Sequence, residues 1–234
     1  MSRRSRRGKR KQSPLRSHWL SIAIISAIIV IAVGGGYAYV TRGSTTTQTS
    51  SSSSSTSSSA GTGNYAVLDT SQGTIVIQLF PQDAPKTVAN FESLANSGFY
   101  NNLVWHRIVA GFVIQTGDPN TKGAINSTRS TWGTGGSSTT IPFENSTLAN
   151  DQGYVAMARG SSINSASSQF YINLVNNPSL TGQYAVFGKV VSGMSVVNAI
   201  AALPVYTNSA TYTYDQPINA QGALLISVTI QSTA

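Results

Sequence analysis

The sequence predicts a mainly β fold: a closed eight-stranded antiparallel β-barrel capped by two α-helices and preceded by one transmembrane helix. Three observations carry this expectation. Eight short segments with strand character recur between turn signals, at residues 65–69, 74–80, 103–109, 112–117, 153–158, 169–174, 185–191 and 224–230. Only two stretches beyond residue 64 place apolar residues at helical spacing. No charged residue occurs between Arg16 and Arg42. Many short strands with so few helices read as an antiparallel barrel, not as the alternating units of a parallel sheet.

Residues 1–18 form a basic segment, with eight Lys or Arg among the first sixteen residues and no acid. Residues 19–40 follow as an apolar run that, as a helix, would span about 33 Å at 1.5 Å per residue. That length is enough for a hydrocarbon core of about 30 Å. Trp19, Tyr37 and Tyr39 sit at its two ends, where aromatic belts lie. The basic block before the run predicts a cytoplasmic N-terminus, a single-pass anchor in the cell membrane and an extracellular body. A cleaved signal peptide is the competing reading, since residues 20–33 have the length of its apolar region. Against it, the apolar zone continues to Val40 without a clean A-x-A site. Both readings export the body. Residues 41–63 are a Ser/Thr-rich linker with nothing to bury, which predicts a disordered tether.

The body, residues 64–234, is long enough for one good core. Residues 65–80 read as a hairpin around Ser71-Gln72-Gly73. Asp83-Ala84-Pro85 then opens a helix, with Asp83 as the expected N-cap and Pro85 in the first turn. Val88, Phe91, Leu94 and Ala95 follow at helical spacing, and Gly98 ends the helix. A second helix fits 194–202 and stops before Pro204.

Charge and composition exclude several functions. The net charge of +8 belongs to the N-terminal segment, because residues 44–234 carry six basic and seven acidic side chains, a net of −1. The body therefore offers phosphates no basic face, and no nucleic-acid partner is expected. The chain has no cysteine, which removes disulfides, thiolate nucleophiles and Cys-type metal sites. Its body holds one histidine, His106, and no G-x-S-x-G elbow, so nucleophilic hydrolysis has little support. A lone histidine in an apolar strand reads as a hydrogen-bonded structural residue. One histidine and scattered acids make no metal site. Gly133-Thr134-Gly135-Gly136 has no strand before it or helix after it, so it reads as a turn-rich loop rather than a phosphate cradle.

One stretch does carry chemistry: Trp105-His106-Arg107-Ile108-Val109-Ala110-Gly111-Phe112-Val113-Ile114-Gln115-Thr116-Gly117-Asp118. Arg107 lies in a strand pattern otherwise built for burial, where a guanidinium is costly unless partnered. Alternation places Trp105, Arg107 and Val109 on one face, and Val113 and Gln115 on one face of the next strand. An arginine and a glutamine would then project side by side among apolar groups. A structural arginine paired with a loop carboxylate explains the spacing equally well.

This stretch resembles the signature of the cyclophilin-type peptidyl-prolyl cis–trans isomerases. Four further blocks are similar to that family in the same order. They are Gly135-Gly136 with Phe143-Glu144-Asn145, then Gly153-Tyr154-Val155-Ala156-Met157-Ala158-Arg159, then Ser168-Gln169-Phe170-Tyr171-Ile172, and lastly the run from Leu180-Thr181-Gly182 through Tyr184 and Phe187-Gly188 to Val190. The resemblance covers most of the body and says nothing about residues 1–63. It implies a cyclophilin-like barrel with its site on the outer face, acting on proline-containing polypeptides without metal or cofactor. Arg107 takes the catalytic arginine position, Phe112 the proline-pocket phenylalanine, and Gln115 the glutamine that holds the substrate backbone. Val113, Tyr171 and Leu180 complete the pocket, while Ala158 and Arg159 line the neighbouring groove. Tyr184 falls where many animal members carry histidine. Strict alternation would point Phe112 away from Val113, so a bend after Gly111 is expected to bring both to the pocket.

With the export signal, the resemblance implies an isomerase assisting the folding of exported proteins, where uncatalysed X-Pro isomerisation takes tens of seconds or more, and nothing in the sequence demands more than a monomer. A non-catalytic module that binds proline peptides or a surface partner is the alternative. Three departures from the family pattern stand out. Ser179 replaces a tryptophan that many animal members have beside the pocket, which weakens any expectation of cyclosporin-type binding. Two loops, 119–141 and 204–222, are long and of unassigned role.

Overall fold

The computed structural model describes residues 65–207 and 215–233. The expected anchor and linker lie outside them, and no helix among the described residues is long and apolar enough to cross a membrane. The strands are β1 (Tyr65–Thr70), β2 (Gly73–Leu79), β3 (Leu103–Val104), β4 (Arg107–Val109), β5 (Val113–Thr116), β6 (Tyr154–Met157), β7 (Phe170–Asn173), β8 (Val186–Ser192) and β9 (Leu224–Gln231). The helices are α1 (Pro85–Asn96) and α2 (Met194–Ala201). Every strand pair is antiparallel, in the order β3-β9-β1-β2-β8-β6-β7-β5-β4.

The barrel is therefore not closed as expected. Its ladder has two free ends, β3 and β4, which the sequence reading had as one strand. Leu103 and Val104 pair with β9, whereas Arg107 to Val109 pair with β5. Between them the Trp105 amide still reaches Ala223, at 2.9 Å. Trp105 and His106 are both buried, and two successive buried side chains break the alternation of a half-exposed strand. The chain thus leaves one sheet edge and joins the other, joining the two ends covalently where hydrogen bonds do not.

Alternation elsewhere builds the core. Ile108, Ile114, Ile172 and Val155 lie in register across β4, β5, β7 and β6 and all belong to the main apolar cluster. Helix α1 places Val88, Phe91 and Ala95 on that cluster, at the spacing the sequence predicts. Phe91 sits at its centre, with ring centroids 5.2 Å from Tyr100, 5.4 Å from Phe170 and 5.2 Å from Phe187. Gly98 ends the helix as expected, adopting φ 69° while Phe99 N donates to Leu94 O at 3.0 Å and Gly98 N to Ala95 O at 2.9 Å. Helix α2 buries Val197 and Ile200.

The N-cap differs from expectation. The helix begins after Ala84, and Asp83 lies in the preceding turn, its amide donating to Phe80 O at 3.1 Å. The cap comes instead from Glu144. Its Oε1 accepts from Lys86 N at 2.9 Å, and its Oε2 accepts from Thr87 N and Thr87 Oγ1, each at 2.7 Å. A carboxylate there satisfies two orphan amides and meets the positive end of the helix dipole. Glu144→Ala should therefore lower unfolding stability by about 1–2 kcal/mol in urea titration, whereas Asp83→Ala should lie close to the native chain.

Candidate functional site

The residues that alternate with the core set face outward. Arg107 is in register with Gln115, Gln115 with Tyr171, Tyr171 with Ala156, and Ala156 with Val186. On the same face lies a second apolar cluster, separate from the core. Val113, Ala156, Tyr171 and Val186 are its buried members, and Phe112, Ala158, Leu180 and Tyr184 pack against them half-buried. Every apolar residue assigned to the site by resemblance is in this cluster. Trp105, in contrast, does not share the face of Arg107. It packs in the main core, 6.0 Å from the Phe170 ring, because the break at 105–106 ends the alternation.

The bend after Gly111 is present. Phe112 N donates to Val109 O at 3.0 Å, closing a tight turn in which Gly111 takes φ 71°. A Cβ at Gly111 would meet nothing within 4 Å, so the backbone conformation rather than space calls for glycine. The turn frees Phe112 from the alternation of β5, and it joins Val113 in the outer cluster.

Arg107 is half-buried, with its guanidinium carbon 5.7 Å from the Phe112 ring centroid. Burial lowers its pKa, while the charges of Asp215 and then Tyr184 act to raise it. Gln115 is fixed by a relay of amides. Its Nε2 donates to Gln169 Oε1 at 2.8 Å, and Gln169 Nε2 donates to Gly133 O at 3.0 Å and Gly135 O at 2.7 Å. The buried Asp118 holds that loop by accepting from the amides of Asn120, Gly133 and Gly135. A Cβ on Gly135 would run into Asp118 Oδ1, so this position has no room for a side chain. Loop 119–141 thereby reaches the glutamine of the site.

A second amide network supports the apolar cluster. The buried Tyr171 hydroxyl donates to Asn150 Oδ1 at 2.8 Å, and burial raises its pKa. Asn173 Nδ2 donates to Asn150 Oδ1 at 3.2 Å, and Asn177 Nδ2 donates to Asn173 Oδ1 at 2.8 Å and to Phe112 O at 3.2 Å. Tyr184 meets Tyr171 edge-on at 5.8 Å. Arg159 lies over Tyr184, 4.9 Å from its centroid, and donates to Gln183 O and Gly160 O at 3.0 Å each. The sequence reading missed Gln169, Asn150, Asn173 and Asn177. Gln169 had a signal, since it lies inside the Ser168–Ile172 block. The asparagines had none, because most of their partners are distant in the chain.

His106 is buried, and neither ring nitrogen has a well-formed hydrogen bond among the described residues, contrary to the hydrogen-bonded role expected. Burial pushes its pKa down to about 4; Arg107 adds to this, while Asp118, the Val104 backbone and the Gln169 side chain oppose it. It is neutral at pH 7 and is not poised as a general base there.

These features define a class: an antiparallel β fold with an apolar recognition face on its outside, flanked by one arginine and one fixed glutamine. Comparison with known proteins gives the family. Residues 65–221 match the profile of the cyclophilin type peptidyl-prolyl cis-trans isomerase/CLD family. A peptidyl-prolyl cis-trans isomerase of Acinetobacter baylyi is 38% identical over 173 residues, 70% of this chain and 84% of that one. A probable peptidyl-prolyl cis-trans isomerase of Brucella suis is 40% identical over 161 residues, 67% of this chain and 81% of that one. The crystal structure of a Cryptosporidium parvum cyclophilin type isomerase in the presence of the dipeptide Ala-Pro superposes with a TM-score of 0.61 at 29% identity, covering 72% of this chain and 99% of that one. The chain belongs to the cyclophilin-type peptidyl-prolyl cis-trans isomerase family, a family of enzymes.

The buried His106 sets a pH dependence of stability. Its folded pKa lies below its unfolded value of 6.5, so between about 6.5 and 4 the unfolded chain binds more protons. Stability should therefore fall as pH drops through that window, by about 2 kcal/mol at pH 5 relative to pH 8. Urea midpoints at the two pH values check this, and the difference should shrink in His106→Gln.

Proposed function

We propose that this domain isomerises X-Pro bonds in exported polypeptides, with Arg107 stabilising the twisted amide. The observation that carries the reading is the register pair Arg107–Gln115 beside the outer cluster of Phe112, Val113, Tyr171 and Leu180. The barrier to rotation is about 18–20 kcal/mol because the amide is conjugated. Twisting breaks the conjugation and leaves a lone pair on the proline nitrogen. No covalent bond is made or broken, and no proton need move. A guanidinium can donate to that nitrogen only in the twisted state, which stabilises the transition state selectively. Turnover near 10³ per second requires about five decades over the uncatalysed rate, or roughly 7 kcal/mol. A charge-assisted hydrogen bond supplies part of this. Orientation supplies more, with the proline ring on the apolar cluster and the substrate backbone held by Gln115.

The export half of the proposal rests on the order of segments in the sequence: a basic block, an apolar run and a polar tether before the domain. On this reading the domain lies outside the cell membrane and acts as a monomer on newly exported chains. Added protease should cleave it on intact cells; protection until lysis would overturn the placement.

Catalysis is tested with the full-length chain and a short Ala-Pro peptide. We expect isomerisation well above the uncatalysed rate and a fall in kcat/KM of about 10²- to 10³-fold in Arg107→Ala. Arg107→Lys should also be badly impaired, since a single ammonium does not replace a planar fork of donors. A folded wild-type chain without turnover would rule out the catalytic reading.

A further inference from the structure

The two loops that depart from the family pattern are clasped together. Arg129, in the 3-10 turn Asn126–Thr131, is only 2% exposed. Its Nη1 donates to Pro217 O at 2.7 Å, its Nη2 to Ile218 O at 3.1 Å, and its Nε to Asn126 Oδ1 at 2.9 Å. The guanidinium also lies 4.6 Å from the Trp132 ring centroid and 5.5 Å from that of Tyr206. In return, Gln216 Nε2 donates to Arg129 O at 3.0 Å. A buried guanidinium is tolerated only where its donors are matched, and here the partners on the second loop are backbone carbonyls. Residues 216–218 are thereby fixed against loop 119–141.

Immediately before them stands Asp215. Its carbonyl accepts from Ile108 N at 2.8 Å, and its amide donates to Tyr206 O at 3.0 Å. The loop thus covers the free edge of β4 at the residue next to Arg107. Asp215 has φ 68°, a conformation that costs a non-glycine residue about 1 kcal/mol or more and persists only where the surroundings impose it. Burial raises the Asp215 pKa, and the charge of Arg107 opposes that rise. Among the described residues the two side chains form neither a hydrogen bond nor a close ion pair. The Ile108–Asp215 backbone bond thus sets Asp215 at the strand edge one residue from Arg107, where its charge favours the protonated guanidinium without a direct hydrogen bond.

We propose that Asp215 is a positioning residue for Arg107, delivered to the strand edge by the loop clasp around Arg129. It offsets the cost of half-burying the guanidinium and biases its orientation, without competing with substrate for the N–H groups. The proposal rests on the isomerase reading above, and it assigns loop 119–141 and residues 215–218 a role at the site.

The decisive variant is Asp215→Asn in the full-length chain. Asparagine accepts positive φ about as readily as aspartate and keeps both backbone hydrogen bonds, so only the charge is removed. We expect kcat on an Ala-Pro peptide to fall about two- to fivefold with KM little changed. Asp215→Glu keeps the charge and should lose less kcat than Asp215→Asn, with a lower thermal midpoint because glutamate tolerates positive φ less well, whereas the thermal midpoint of Asp215→Asn should match the wild type. The Arg107 Nε–Hε signal in NMR should shift in Asp215→Asn, a response that a purely backbone role would not give. With an active wild type, an unchanged kcat in Asp215→Asn overturns the proposal. If the wild type itself shows no turnover, the isomerase reading fails, and an unshifted Arg107 signal then overturns the positioning role separately.

Discussion

The register of β4, β5, β7 and β6 is the constraint on which the rest of the structure depends. Antiparallel pairing sets Ile108, Ile114, Ile172 and Val155 across the inner face, and Arg107, Gln115, Tyr171 and Ala156 across the outer one. A slip of one residue would exchange the two sets. It would push a guanidinium into the cluster around Phe91 and Phe170 and turn isoleucines toward solvent. Each exposed isoleucine forfeits roughly 1.5–3 kcal/mol, and an unpaired buried guanidinium costs several more. The hydrophobic effect that folds the sheet therefore also aims the polar groups of the site. Stability and function are set by one pairing pattern, not by separate devices.

That register leaves an apolar cluster on the outside of a sheet, where backbone and side-chain polar groups still need partners. Buried amides meet the need. Asn150, Asn173 and Asn177 tie the Tyr171 hydroxyl and the Phe112 carbonyl together, and Gln169 ties Gln115 to the loop braced by Asp118. An amide held by several partners has a preferred orientation, so these networks fix the outer face even though Asn150 Nδ2 itself finds no partner among the described residues. Rigidity matters for a reaction in which only a torsion changes. Donors that must reorganise during the twist would return much of the energy they supply.

Much of this was legible in the chain because it is written in local periodicity. Strand segments, both helices and the Gly98 stop follow from spacing and from the conformational freedom of glycine, while the bend at Gly111 follows from the family resemblance. What the spacing concealed was non-local. The cap of α1 comes from Glu144, beyond the reach of any helix-start signal, and it displaced the nearer and more obvious Asp83. The run 103–109 reads as one strand, yet Trp105 and His106 are both drawn inward, so its two halves pair with different edges and the ladder stays open. The site divides in the same way. Arg107 and Gln115 were visible as alternate residues of a hairpin. Gln169, which holds Gln115, lies 54 positions away, and Asn150 and Asn173, which brace Tyr171, carry no pattern of their own.

The tolerance of the fold to its two long loops follows from what the chemistry asks. A hydrolytic site must hold nucleophile, base and oxyanion donors within tenths of an ångström, and most loop changes nearby disturb one of them. On the mechanism proposed here the demands are a shape for the proline ring, one cation and one fixed amide, all carried by strands or by the turn that joins two of them. Loops can then lengthen freely, provided that they satisfy their own polar groups and leave the charge balance at Arg107 intact. The Arg129 clasp meets the first condition by matching a buried guanidinium to carbonyls of the opposite loop. Asp215 bears on the second, since a loop of opposite sign at the same edge would add its field to the burial that already weakens the proton affinity of Arg107. On the positioning role proposed for Asp215, the charge a loop brings to this one strand edge matters more to the site than the length of the loop.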